Sequence, residues 1–181
     1  VPYGEVPALN ATLTRRDGEA AKALRFVLLT GTRSGEARGA RVSEVDRKAK
    51  LWVIPAERMK AGKEYRVPLT DEALALIPES GGPGDLLFPG ARKGKPLSDM
   101  ALIQIMRKLK GEGATVHGLR SSFRDWAADK TEAPREVVEA CLAHATGNAV
   151  ELAYKRTDFF DKRRELMAAW AAFVVGGPNA T

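Results

Sequence analysis

The chain holds only two histidines and three tyrosines, and one of each falls in a single stretch, CLAHATGNAVELAYKR, residues 141–156. His144 stands ten residues before Tyr154, which is followed by Lys155 and Arg156. A phenol can act as a nucleophile once it loses its proton, and an imidazole beside it can hold or move one. Three further stretches carry groups of matching chemistry. In TGTRSGEARG, residues 30–39, Arg33 lies between two glycines with Glu36 three positions on. The glycines let the backbone turn sharply, the arginine's planar fork of donors suits phosphate oxygens, and Glu36 is near enough to orient it. ERMKAGKEYRVPLT, residues 57–70, places Lys60 at the end of one predicted strand and Lys63 in the loop before the next. A lysine on a hairpin tip can enter a nucleic-acid groove and can give up a proton. In HGLRSSFRDW, residues 117–126, His117 and Arg120 stand three apart at a helix start, so they share a face where exposed amides favour an anion.

Taken singly, each stretch has a plainer explanation. Arg33 and Glu36 fit a helix-end ion pair, the lysines a solvated turn, and His-x-x-Arg a chance spacing. On a helix, Ala149, Val150, Leu152 and Ala153 form an apolar stripe, with Tyr154 about 40° beyond Val150; that also fits a tyrosine at the edge of a core.

The ordered combination is far rarer than its parts. TGTRSGEARGAR, ERMK…VPLT, HGLRSSFRDWA and LAHATGNAVELAYKR…DKRRELMAAWA resemble the blocks of the tyrosine recombinases, specifically the phage-type and genomic-island integrases. The resemblance runs from about Gly4 to Phe173. It implies the catalytic domain of that family, with Arg33, Lys60, His117, Arg120 and His144 forming a phosphate-binding pocket, Glu36 in support, and Tyr154 as nucleophile. One position departs from the pattern: Tyr65 stands where relatives with an ERMK block often carry histidine, which puts a local contact of the hairpin or the DNA in question.

The implied reaction is site-specific DNA integration or recombination through a 3′-phosphotyrosyl intermediate, with no cofactor and no metal. Arg33 and Arg120 would stabilise charge on the non-bridging oxygens. His117 is the base candidate, Lys60 the candidate to protonate the departing 5′ hydroxyl, and His144 a donor to a phosphate oxygen. Two alternatives are a type IB topoisomerase, which reseals its own strand, and a non-catalytic DNA-binding module. The implied partner is double-stranded DNA, with a tetramer forming on DNA in a full-length protein and a monomer as an isolated domain. Family members carry arm-binding and core-binding domains ahead of the catalytic one. Residues 1–181 are accordingly expected to be a single catalytic domain, DNA-associated in the cytoplasm of a bacterial or phage-infected cell.

The elements that must position these groups are mostly helical. Apolar spacing predicts a helix over residues 19–31. RVSEVD and KLWVIPA read as strands joined by DRKAK, and YRVPLT as a third. Asp71 can cap a helix across EALALIP, and Ser98 one over DMALIQIMRKLK. HGLRSSFRDWAADK has helical character, and Pro134 suits the first turn of a helix through REVVEACLA. A further helix carries Tyr154. Asp158 opens the last, which Gly176, Gly177 and Pro178 stop. The expected fold is mainly α with a small three-stranded antiparallel sheet. The apolar end of the last helix, Phe173 to Val175, is a candidate for docking on a neighbouring protomer, with packing inside the chain as the simpler alternative.

Composition agrees with these assignments. Hydrophobic residues make up 44% and charged residues 29%, as in a globular domain with a core and not in a disordered chain. Lysine and arginine total 29 against 23 acidic residues, a formal +6 that favours an anionic partner. The single cysteine, Cys141, excludes an internal disulfide framework and suits core packing. Two histidines and one cysteine cannot build an ordinary zinc site of nitrogen and sulfur ligands. No run is apolar enough to span a membrane.

Overall fold

The computed structural model describes residues 1–144 and 157–176. Tyr154, the helix expected to carry it, Lys155, Arg156, and the expected stop signals Gly177 and Pro178 lie outside the described residues.

The centre of the molecule is α2 (Glu19–Thr30), in which every residue from Ala23 to Thr30 except Arg25 is buried. A helix apolar on nearly all sides has to be surrounded. It is: α1 (Val6–Thr14), the short α3 (Ser34–Arg38), α4 (Asp71–Leu74), α5 (Asp99–Lys110) and the last helix pack against it. Helix α2 stops at Gly31, whose φ of 66° is left-handed and whose amide returns to the Val27 carbonyl. That geometry favours glycine because no Cβ obstructs it. The next residues are thereby redirected to open α3 with Arg33 as its N-cap. Helices α1 and α3 were not among the sequence expectations. Both are short, and α1 has Pro7 in its first turn, so periodicity alone offers little signal.

The sheet has the expected three strands, β1 (Val45–Asp46), β2 (Leu51–Ile54) and β3 (Tyr65–Pro68), antiparallel in the order β1-β2-β3. In the register, Trp52 faces Val67 and Ile54 faces Tyr65. Trp52, Ile54 and Val67 turn inward on alternate positions. The Trp52 ring packs on Phe26 of α2 at 5.3 Å, joining sheet to helix core.

Two expected caps differ in detail. The N-cap of α4 is Thr70, one residue earlier than expected, with its Oγ1 accepting from the Ala73 amide at 3.3 Å. That helix ends at Leu74, short of Pro78. Ser98 does occupy the N-cap of α5, but without a side-chain capping bond.

Helices α6 (Gly118–Lys130), α7 (Arg135–Cys141) and α8 (Phe160–Val174) complete the described fold. The N-cap of α8 is Phe159, one residue after the expected Asp158, whose Oδ1 nonetheless accepts from the Phe160 amide at 3.1 Å. On α8, Trp170 is fully buried, donates its indole N–H to the Leu28 carbonyl at 2.8 Å, and packs among Phe123, Trp126 and Phe173. Phe173 and Val174 are buried against their own chain, with Phe173 also meeting Tyr3. Packing inside the chain therefore accounts for two of the three residues considered for docking; Val175 alone of them is exposed. No helix among the described residues is long and apolar enough to cross a membrane.

Candidate active site

A cleft of about 390 Å³ opens where the turn after α2, the start of α3, the β2–β3 connection, the start of α5 at Asp99 and the start of α6 converge. Arg33, Glu36, Lys60, His117 and Arg120 all line it, as do Arg38 and Arg58. Five of the seven expected residues thus share one basic concavity, although they come from three separate stretches of chain.

Arg33 is fixed locally. Glu36 accepts from its guanidinium at 2.9 Å and from its backbone amide at 2.7 Å. The glutamate is buried while the arginine side chain is 31% exposed, so the carboxylate anchors one edge of the fork and leaves the rest facing the cleft. The expected orienting role of Glu36 thus has a geometry.

Arg120 is fixed by distant parts of the chain. It is 3% exposed on the same face of α6 as Leu119, Phe123 and Ala127. Its Nη1 donates to the Gly31 carbonyl and its Nη2 to the Leu142 carbonyl. Gly31 is the left-handed residue that ends α2, and Leu142 follows the end of α7. Both acceptors are carbonyls that a helix end leaves without an intrahelical partner. Among the described residues no carboxylate pairs with Arg120. Burial, and then the neighbouring Arg33, lower its pKa. Two cations held close together at a cleft, one of them buried, form an arrangement that an entering anion stabilises.

His144 touches this group from the side. Its Nε2 lies 2.9 Å from Arg120 Nη2, and its Nδ1 lies 2.6 Å from Glu139 Oε2. The ring is placed by how α7 ends. The His144 amide returns to the Glu139 carbonyl at 3.0 Å and the Ala143 amide to Ala140 at 3.1 Å. Ala143 is left-handed at φ 50°. This is the double-bonded Schellman helix end, which folds the residue after the left-handed one back over the last turn.

His117 sits at the N-cap of α6 and lines the cleft. Its pKa is lowered, chiefly by burial and then by Arg120, Arg33, His144 and Arg124. A neutral imidazole can accept a proton, as a base must. Lys60 is exposed in the turn that follows a short 3₁₀ segment, Ala56–Arg58, so it lies in the β2–β3 connection and not at the strand's end.

Several participants were not singled out from the sequence. Arg58 lines the cleft beside Lys60 and donates to the Glu36 carbonyl and to Glu44. Its place in ERMK was visible, its direction was not. Glu139 and Arg124 flank His144. A carboxylate in the last turn of a helix opposes the helix dipole, and that irregularity was the available signal for Glu139. Tyr65 donates its hydroxyl within 2.8 Å of both the Ala140 and Cys141 carbonyls, and the guanidinium of the buried Arg163 lies 4.7 Å from the centre of its ring. The hydroxyl of this departing position therefore meets the end of α7, a contact inside the protein. Among the described residues no cluster of three His, Cys, Asp or Glu stands where it could hold a metal ion.

Comparison with known proteins agrees with the architecture. The sequence model of the phage integrase family matches residues 3–159. The prophage integrase IntA of Escherichia coli K12 is 40% identical over 153 residues, covering 81% of this chain and 37% of its own. The integrase of Shigella phage Sf6 is 30% identical over 182 residues, covering 94% of this chain and 46% of its own. The chain thus spans less than half the length of either relative. Among solved structures, an integrase from mycobacterium phage Brujita superposes with a TM-score of 0.67 at 18% identity, over 92% of this chain and 56% of that one. The Tn1549 transposon integrase, solved in complex with circular intermediate DNA, gives 0.52 at 16% identity, over 82% and 57%. A basic cleft assembled on this helical frame, and a family match across most of its residues, place the chain in the phage integrase family with the tyrosine recombinase catalytic fold.

Proposed function

We propose that the chain is the catalytic portion of a site-specific recombinase that breaks and rejoins double-stranded DNA through a 3′-phosphotyrosyl intermediate. The observation that carries this reading is the convergence of Arg33, Lys60, His117 and Arg120 on one cleft, with His144 bonded to Arg120.

The chemistry follows from what a phosphodiester needs. Attack on phosphorus builds negative charge on the two non-bridging oxygens. Guanidinium groups already fixed by Glu36 and by two helix-end carbonyls meet that charge with little reorganisation. The Tyr154 oxygen forms the new bond to phosphorus, and the bond to the 5′ oxygen breaks. A phenol has a pKa of about 10, so its proton must be taken, and neutral His117 is suited to take it. Lys60 delivers a proton to the departing 5′ oxygen. Because the phosphotyrosyl bond stores the energy of the broken bond, a 5′ hydroxyl can reverse the step on the same strand or another. Cationic side chains occupy the role that divalent metals have in many nucleases, so the reaction proceeds in EDTA. On DNA, the longer protein assembles as a tetramer.

The test is a nicked suicide duplex, from which the short 5′-hydroxyl fragment diffuses away and strands the adduct. The wild-type chain should be trapped covalently on DNA, with or without EDTA. Adduct formation by Tyr154→Phe would remove Tyr154 from its role, and a strict magnesium requirement would count against the pocket.

A further inference from the structure

The end of α7 carries an ion pair where helix ends of this kind commonly carry an apolar contact. In the Schellman pattern the residue after the left-handed position meets the side chain five residues earlier, often as a hydrophobic pair. Here the two are His144 and Glu139, with Nδ1 and Oε2 2.6 Å apart. Glu139 is 7% exposed. Its other oxygen, Oε1, lies 3.1 Å from Arg124 Nε, and the His144 ring is also within 3.4 Å of Arg124 Nη2. A buried carboxylate at the negative end of a helix is costly unless cations surround it. Arg124 supplies one.

The hydrogen bonds also assign the imidazole's proton. A guanidinium only donates, so Nε2 accepts from Arg120 Nη2 at 2.9 Å. Nδ1 faces both Glu139 Oε2 at 2.6 Å and Arg124 Nη2 at 3.4 Å; the carboxylate contact is much the shorter, and with the ring hydrogen on Nδ1 it is a bond donated to Glu139. In that state His144 has nothing left to donate. The non-bridging oxygens of a phosphodiester only accept. For His144 to share a phosphate oxygen with Arg120, Nε2 must gain a hydrogen and its bond from Arg120 must be released.

We propose that engaging a DNA phosphate in this cleft is coupled to uptake of one proton from solvent at His144 Nε2, with the Glu139 carboxylate as the built-in counter-charge. This rests on the phosphate-pocket reading and deepens it. Among the described residues, the charged groups facing the ring are Glu139 on α7, Arg120 and Arg124 on α6, and His117 at the start of α6. An entering phosphate neutralises Arg120 and leaves Glu139 to favour the imidazolium. Glu139 is a positioning residue: it acts on the phosphate through His144.

The experiment is calorimetric titration of the 181-residue protein with a short DNA duplex, in buffers of differing ionisation enthalpy, with the affinity followed against pH. The wild type should take up about one proton per complex and lose about tenfold in affinity per unit rise in pH through the coupled range. Glu139→Gln preserves the shape and the acceptor for Nδ1 but removes the charge; its uptake should fall towards zero and its pH dependence should flatten. His144→Asn should likewise abolish uptake. Uptake near zero in the wild type, unchanged uptake in Glu139→Gln, or persistence in His144→Asn would each overturn the proposal. If Glu139→Gln does not fold, the wild-type count and His144→Asn decide between them. Adduct formation on the suicide duplex without proton uptake sinks this inference alone, whereas failure to form any adduct sinks the recombinase reading.

Discussion

Arg33 and Arg120 face the same cleft and are held in opposite ways. Arg33 takes its orientation from Glu36, three residues along the chain, and keeps nearly a third of its side chain open. Arg120 is buried, and its partners are carbonyls that end two other helices, one of them 89 residues away. The first is a locally encoded cation. The second is a point where α2, α6 and α7 meet, so the charge and the packing of three helices depend on one side chain. Loss of Arg33 should therefore be mainly a chemical injury, and loss of Arg120 a chemical and structural one.

The sharpest way to break the comparison is Arg120→Lys. The charge remains, but a single ammonium on a flexible stem cannot reproduce the fork that spans both carbonyls. Strand cleavage should fall by about 10²- to 10³-fold, and denaturant unfolding should show a loss of roughly 3 kcal/mol from the broken buried network. An unfolding midpoint equal to wild type would mean that the two carbonyls do not need the guanidinium. Arg33→Ala should lower cleavage by about 10²-fold or more while stability changes by about 1 kcal/mol or less. A large stability loss there would erase the distinction between the two arginines.

Smaller changes probe the frame behind Arg120. Tyr65→Phe removes the hydroxyl shared by the Ala140 and Cys141 carbonyls, so unfolding should cost about 1–2 kcal/mol less than in wild type. The same change should slow cleavage modestly, because the end of α7 also sets Leu142 and His144. Ala143→Gly relieves a left-handed alanine and should stabilise the protein by about 1 kcal/mol.

The smallest effect is a pH slope. Burial, and then Arg120 and Arg33, hold the His117 pKa below its ordinary value. The folded protein therefore binds this proton less tightly than the unfolded chain does. As pH falls below about 6.5, the unfolded state gains protons first, so this group makes stability fall with falling pH. Thermal melts across that range should show a shallower acid slope in His117→Asn. An unchanged slope would assign the effect to other groups.

Much of this was legible from residue types. The glycine-bracketed Arg33 with Glu36, the His-x-x-Arg start of α6, and alternation along β2 and β3 each depend on neighbours within a few positions, where helix and strand periods are decisive. The helix α4 was expected to reach Pro78 and ends at Leu74, because tertiary packing overrides local propensity in short elements. The roles of Glu139, Arg124 and Tyr65 were not legible. Nothing in the order of residues says that a tyrosine on β3 will close the end of α7, or that a glutamate five positions before His144 will meet its ring.

The sequence by itself determined the inventory: which cations, imidazoles and phenols exist, and the local turns that present several of them. Only the tertiary structure decided how they are held, since the acceptors that orient Arg120 are main-chain carbonyls. Every residue has a carbonyl, so its identity carries no information. A carbonyl becomes a specific partner only when a helix ends there and packing brings a donor to it.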